Sequence, residues 1–389
     1  MLTFLSGVFV KDKEGTAMRQ AYGTLCSIVG ILLNLCLFAG KYVAGMLSGS
    51  VALIADAWNN LSDAASSVVT LLGFLFAGKR PDLEHPFGHG RYEYVAGLIV
   101  ALAILMMGLE LFKSSITKIL HPEPIETGIL TFAVLLISIL VKVYMAFYNH
   151  KIGKEIGSVA MEATAKDSMS DVIATTVVLI SMVILHFTSV NTDGCSGALV
   201  SLFILYTGYQ TVKETLNPLI GTAPDEKVIK QIEEIVMSDD MVQGYHDLIV
   251  HDYGPGRRLL SLHVEVPGEC SVYEAHAGID RIEKRINEAL SCVTVIHMDP
   301  SEADNGETIR VKEMVLKKVK AIDSEMSIHD FHLIPEKKGT RLMFDAVMPY
   351  DSKYSPALMK EKIEQSLKEI PGNYNAEIHV DLGYMSDMK

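Results

Sequence analysis

Six apolar stretches follow one another through the first half of the chain, at about 21–44, 51–77, 92–112, 129–149, 162–187 and 195–212. Each is close to or above the roughly 20 residues that carry a helix across a bilayer. A soluble helical core does not need several such runs in succession, so the pattern predicts an α-helical membrane protein with six transmembrane helices. Connectors such as GMLSGS at 45–50 and GKRPDLEHPFGHGR at 78–91 separate the runs. Of 389 residues, 49% are hydrophobic and 21% charged, which excludes a disordered or fibrous chain.

Charge divides the chain further. Residues 1–220 carry a formal net charge of −2 and residues 221–389 one of −11. An acidic second half argues against nucleic-acid binding, which needs a basic surface, and suits cation handling. Cys26, Cys36, Cys195, Cys270 and Cys292 are odd in number and scattered, so neither a disulfide framework nor a thiolate zinc site is expected. The apolar start MLTFLSGVFV lacks a basic leading segment and a small-residue cleavage site, and so does not read as a signal peptide. Lys11, Lys13 and Arg19 precede the first run, Lys79, Arg80 and Arg91 lie between the second and third, and Lys151 and Lys154 between the fourth and fifth. The positive-inside rule therefore predicts a multi-pass protein of the cell (plasma) membrane with both termini cytoplasmic.

Ionisable groups inside the runs point to chemistry. The second run reads ADAWNNLSDAASS, with Asn59 and Asp63 four residues apart; the fifth reads EATAKDSMSDVIAT, with Asp167 and Asp171 four apart. That spacing puts each pair on one helix face. A carboxylate at mid-membrane costs about 3 kcal/mol on insertion scales unless compensated, and a cation held between the two faces compensates it. The alternative is polar contact between helices. Asp56, one turn before Asn59, reads as a vestibule or cap. Glu110 and Lys142 read as groups snorkelling from span ends, and Lys166 as structural.

GSVALIADAWNNLSDAASS, HPFGHGRYE and AKDSMSDVIAT together resemble the cation diffusion facilitator family of metal-transporting antiporters, over about residues 17–303. The resemblance implies a homodimer with six spans per protomer and a metal site at Asn59, Asp63, Asp167 and Asp171. Zinc-carrying members usually have Asp or His at the first position and His at the third. This sequence departs at both, which resembles the manganese-exporting branch. Donor chemistry agrees: zinc suits nitrogen-containing tetrahedral sets, whereas an all-oxygen set suits Mn²⁺, Mg²⁺ or Ca²⁺. Mg²⁺ dehydrates reluctantly and Ca²⁺ wants six to eight oxygens, leaving Mn²⁺ preferred, with Zn²⁺ or Fe²⁺ as alternatives.

The loop DLEHPFGHG adds a candidate set, Asp82, His85 and His89, where some family members bind a second metal; Pro86 and Gly88 exclude a regular helix there. Beyond Gly221 a cytoplasmic α+β (ferredoxin-like) region is expected. It reads as a helix at about 225–237, strands at 246–251 and 258–266, a helix at 273–290 and a strand at 293–298. Residues 308–383 repeat this pattern: GYHDLIV matches SIHDFHL, LLSLHVEVP matches RLMFDAVMP, and VIHMD matches EIHVD. The expected organisation is a cytoplasmic segment 1–20, a transport domain 21–217, and two tandem repeats, 221–303 and 304–389. His246, His263, His276, His297 and Asp299 match positions that hold metal in some family members; His329, Asp345, His379 and Asp381 occupy the equivalent places in the second copy, where Ala357 replaces His276.

The sequence thus predicts a divalent metal exporter exchanging metal for protons by alternating access, with no prosthetic group and no enzymatic constellation. Its partners would be the metal ion, protons, the bilayer and a second copy of the chain, with no nucleic acid. A channel would need a continuous polar pore, and a membrane-tethered metal sensor would have no use for buried aspartates.

Overall fold

The computed structural model describes residues 15–48, 51–121, 129–188, 193–301, 306–336 and 339–382. Lys11 and Lys13 lie outside the described residues. The chain divides into two compact units, Met1–Thr222 with Asp252–Arg257, and Ala223–His251 with Arg258–Lys389.

Among the described residues the first unit holds six long helices: α1 (Gly15–Ser48), α2 (Val51–Ala77), α3 (Tyr92–Leu120), α4 (Ile129–Ile156), α5 (Val159–Thr188) and α6 (Asp193–Ile220). Among the described residues, four stretches are long and apolar enough to cross a membrane: Ala17–Leu47, Asp56–Ala77, Tyr92–Leu120 and Ile129–Ile156. The beginning of α5 is more polar, because Glu162, Lys166, Asp167 and Asp171 crowd into its first half. Small residues set the helix spacing. A methyl group at Gly73 of α2 would fall 2.4 Å from the Ala96 Cβ of α3, so glycine is what lets these two helices meet. A buried ionic node fixes the ends: Arg19 of α1 lies 2.8 Å from Glu93 of α3, and Ser158, just before α5, donates to the same carboxylate oxygen. The guanidinium of Arg19 also donates to the Gly157 carbonyl at 3.0 Å, beyond the last turn of α4, where a cation suits the exposed carbonyls.

The second unit runs α7 (Glu226–Val236), β1 (Gly244–Asp252), β2 (Arg258–Pro267), α8 (Val272–Leu290), β3 (Cys292–Ser301), α9 (Gly306–Ile322), β4 (Ser327–Glu336), β5 (Gly339–Met348), α10 (Pro356–Leu367) and β6 (Tyr374–Leu382). The order helix–strand–strand–helix–strand thus occurs twice. It builds two three-stranded sheets, β1-β2-β3 and β4-β5-β6, with β2 parallel to β3 and β5 parallel to β6. Alternation along β2 turns Leu260, Leu262, Val264 and Val266 inward against Ile279, Ile282 and Ile286 of α8. In α9 the four-residue spacing of Val311, Val315 and Val319 makes one apolar stripe, which joins Leu342, Phe344 and Ala346 of β5. Each buried Val, Leu, Ile or Phe side chain among these contributes about 1.5–3 kcal/mol. A capping box at Ser271 and Glu274 starts α8.

Candidate metal centre

Helices α2 and α5 are joined by a buried contact between the hydroxyls of Thr70 and Thr164, 3.2 Å apart. Further along the same two helices, Asp63, Asp167 and Asp171 each bring one carboxylate oxygen to within 4.8 Å of the others. Asp167 is buried; Asp63 and Asp171 are largely so. Asn59 stands one turn before Asp63 on an exposed part of α2, while its neighbour Asn60 is buried and donates to the Asp56 carbonyl at 2.8 Å.

The fourth participant corrects the snorkelling expectation. Lys142, at the midpoint of α4, is 3% exposed, and its ammonium nitrogen lies 2.6 Å from both Asp63 Oδ2 and Asp171 Oδ2. Hydropathy alone ends the fourth run at 149, but α4 continues to Ile156, so Lys142 is half a helix from either end and cannot reach water. Asp56 is likewise paired, at 2.8 Å, with the buried Lys41 of α1. Lys166 faces away from the carboxylates and pairs with Glu214 of α6.

Formally, three carboxylates and one ammonium leave two negative charges on this cluster, the charge that one divalent ion neutralises. In a water-poor interior such balance decides whether the cluster is tolerable, since an unpaired buried charge costs several kcal/mol. All side-chain donors are oxygens of ionisable carboxyl groups, which can carry a hard divalent ion or protons.

The loop after α2 gathers its own group. Asp82 lies 3.4 Å from His85 Nδ1 and 3.4 Å from His89 Nε2, and the two imidazole rings are 4.6 Å apart. The Asp82 carboxylate accepts from the backbone amides of His85 at 2.7 Å and Glu84 at 3.1 Å, a tight non-helical turn. The His85 amide is the main reason the Asp82 carboxyl is held below the usual carboxylate range.

In the second unit, parallel pairing of β2 with β3 sets His263 opposite His297 and Glu265 opposite Asp299. Asp299 then accepts from His263 Nδ1 at 2.9 Å and sits 3.3 Å from His246 Nε2 and 3.2 Å from His297 Nε2. Burial works against a charged His246, yet the Asp247 and Asp299 carboxylates outweigh it and push its pKa up to about 10. His276 is not brought into this group: it sits exposed on α8, 3.5 Å from Asp280. Among the described residues, His329, Asp345, His379 and Asp381 form no equivalent group of three. Asp345 lies opposite both His329 and His379 in the sheet register, and His379 pairs with Asp381 at 3.1 Å.

Comparison with known proteins follows the same division. Residues 27–220 match the cation efflux transmembrane domain, and residues 224–301 the cytoplasmic domain of cation efflux proteins. An uncharacterised transporter of Methanocaldococcus jannaschii is 32% identical over 274 residues, covering 70% of this chain and 96% of the relative. The cation-efflux pump FieF of Klebsiella pneumoniae subsp. pneumoniae is 27% identical over 288 residues, 73% of this chain and 96% of the pump. The FieF pump of Salmonella arizonae is also 27% identical, over 287 residues, 73% of this chain and 95% of the pump. The matched domains stop at residue 301, before α9.

Proposed function

Because the chain belongs to the cation efflux family, the cation diffusion facilitators, we propose that it exports a divalent ion, preferentially Mn²⁺, from the cytoplasm in exchange for protons. Family members are transporters and not enzymes, and this chain is a cation efflux transporter of the membrane. The observation that carries the metal assignment is the all-oxygen cluster of Asp63, Asp167 and Asp171, with Asn59 a turn away as the fourth position. The ammonium of Lys142 holds two of the carboxylates together when no metal is bound and shifts aside when a divalent ion arrives. Because Lys142 already balances one carboxylate, the metal-free cluster reaches neutrality with two protons, and the same carboxylates therefore bind either one divalent ion or two protons. That competition supplies the exchange, with rocking of the bundle around a midplane site as the general transporter solution.

In this reading α1 to α6 all cross the membrane, residues 21–217 form the transport domain with both termini cytoplasmic, and the working unit is a homodimer. Residues 221–303 and 304–389 are tandem ferredoxin-like repeats. The imidazole-bearing groups at Asp82, His85 and His89 and around Asp299 suit borderline ions better than Mn²⁺, and they favour Zn²⁺ or Fe²⁺ export as the second reading. Proteoliposome flux of Mn²⁺, Zn²⁺, Fe²⁺ and Co²⁺, with and without a pH gradient, separates the readings. Flux of Mn²⁺ that exceeds that of the others and accelerates with an opposing proton gradient is expected; flux indifferent to the gradient overturns the antiport.

A further inference from the structure

Histidine-246 and His329 begin the same His-Asp dipeptide in the two halves of the second unit, and the structure stacks their rings face to face, with centroids 4.3 Å apart. Both residues are more than nine-tenths buried. Among the described residues none of their four ring nitrogens has a hydrogen bond, which is costly for polar atoms without access to water. Asp247 is close to both: its Oδ2 is 3.5 Å from His246 Nδ1, and its Oδ1 is 3.8 Å from His329 Nε2. The dipeptides share an unusual backbone as well. Asp247 and Asp330 both adopt φ 51, a left-handed conformation that directs the chain out of the regular strand just after each histidine.

We propose that His246, Asp247 and His329 form a divalent-metal site that ties the first sheet to the second. One donor atom from each lies within 4.8 Å of the other two. The two nitrogens of His246 face different ways. Nε2 points to Asp299 at 3.3 Å, while Nδ1 points to Asp247. A divalent ion that displaces the Nδ1 proton of His246 takes up that lone pair and leaves the Nε2 hydrogen facing Asp299, and a carboxylate behind a ligating histidine is the usual means of orienting one. Asp299 therefore serves this site from behind, while His263 and His297 remain on its other side. Two imidazoles and a carboxylate suit a borderline divalent ion such as Zn²⁺, with a further position left for water. The hard-oxygen cluster of the helical unit would favour a different class of ion. The assignment does not depend on what the helices carry.

The test uses the full chain in detergent, with Asp63→Asn and Asp171→Asn together as the parent so that the helical cluster contributes no binding. Equilibrium dialysis against Zn²⁺ is expected to show, apart from any ion held at Asp82, His85 and His89 or by the His263 and His297 group, a class of one ion per parent chain whose affinity weakens by about tenfold or more in His329→Gln and in Asp247→Asn, since losing a ligand costs at least what losing its outer partner does. The Asn replacement tolerates the left-handed backbone at 247. His332→Gln, outside the cluster, should bind like the parent. Should His329→Gln fail to fold, hydrogen exchange on the parent decides: Zn²⁺ should slow exchange in 244–252 and 327–336 together. A His329→Gln titration that superimposes on the parent's, or slowing confined to 244–252 and 292–301, overturns the site.

Discussion

The ammonium of Lys142 lies 2.6 Å from the Asp63 carboxylate, and both groups are shut away from bulk water. A tethered cation occupies the region where a metal ion would have to approach Asp63 and Asp171. Lys142→Met keeps the unbranched stem of the side chain as far as its ε-carbon and removes the charged nitrogen, leaving the carboxylates without their partner. Removing one member of a buried ion pair costs about 3–5 kcal/mol. The metal-free variant is expected to unfold at a markedly lower temperature than the parent, and Mn²⁺ should raise its unfolding temperature by more than it raises the parent's. Equal gains on adding Mn²⁺ would show that Lys142 and the metal do not share the carboxylates.

Asp63→Ala or Asp171→Ala should abolish metal flux while leaving expression and assembly intact. Each change removes one of the three carboxylates proposed to bind the ion, yet Lys142 keeps its other partner, so the helix contacts survive. Flux in purified proteoliposomes checks this, and either variant transporting like the parent would remove these residues from the site.

Much of this arrangement could be read from the chain, and the parts that could not have physical reasons. Four-residue spacing is a local property, and it put Asp167 and Asp171 on one face of α5 where the structure has them. Hydropathy, by contrast, marks where apolar residues stop and not where the helix does. Its boundary at 149 made Lys142 a terminal residue, although NHKIGKEI continues α4 for two more turns. The same limit hid the Lys41–Asp56 pair, because only packing brings α1 beside the start of α2. In the second unit the matching sequence blocks indicate like strands but not which surfaces meet, so the stacking of His246 on His329 has no trace in spacing. Nor does alignment with metal-binding positions reveal that His276 lies on the exposed face of α8.

Truncation after residue 304 should leave a chain that still moves metal, with reduced stability. The matched domains end at residue 301, and relatives covered over 95% or more of their length correspond to about 70% of this chain. The loss in stability should be larger in the presence of Zn²⁺, because the parent alone retains His329. The check is flux alongside thermal unfolding in detergent. A well-folded truncation with no flux would make α9 to β6 part of the transport cycle.

Asp345 gives a pH-dependent prediction. Burial raises its carboxyl above the usual value, with Asp330 and Asp381 adding to the shift and His329 and His379 opposing it. A carboxyl whose folded pKa exceeds its unfolded value of about 4 destabilises the fold when ionised, and the penalty vanishes once both states are protonated. Asp345→Asn should therefore raise the unfolding temperature near neutral pH, with the gain shrinking as the pH falls through the folded pKa. A gain that stays constant down to about pH 4 would mean that packing, not charge, separates the two side chains.

Selectivity should turn on Asp167. It is buried within the carboxylate cluster, yet the short contacts of Lys142 go to Asp63 and Asp171, so Asp167 can be exchanged without breaking an ion pair. Asp167→His supplies the nitrogen donor that zinc favours and removes one hard oxygen available to manganese. The ratio of Zn²⁺ to Mn²⁺ flux at a fixed pH gradient is expected to rise, and a difference of about 1.4 kcal/mol between the two ions is enough for a tenfold change. Adding Asn59→Asp restores the number of carboxylates and so separates donor type from charge. If donor type governs, the double variant keeps the raised ratio; if charge governs, it returns to the parent's. An unchanged ratio in both variants, with both metals still carried, would place selectivity outside these side chains and make the Lys41–Asp56 pair beside the start of α2 the next position to alter.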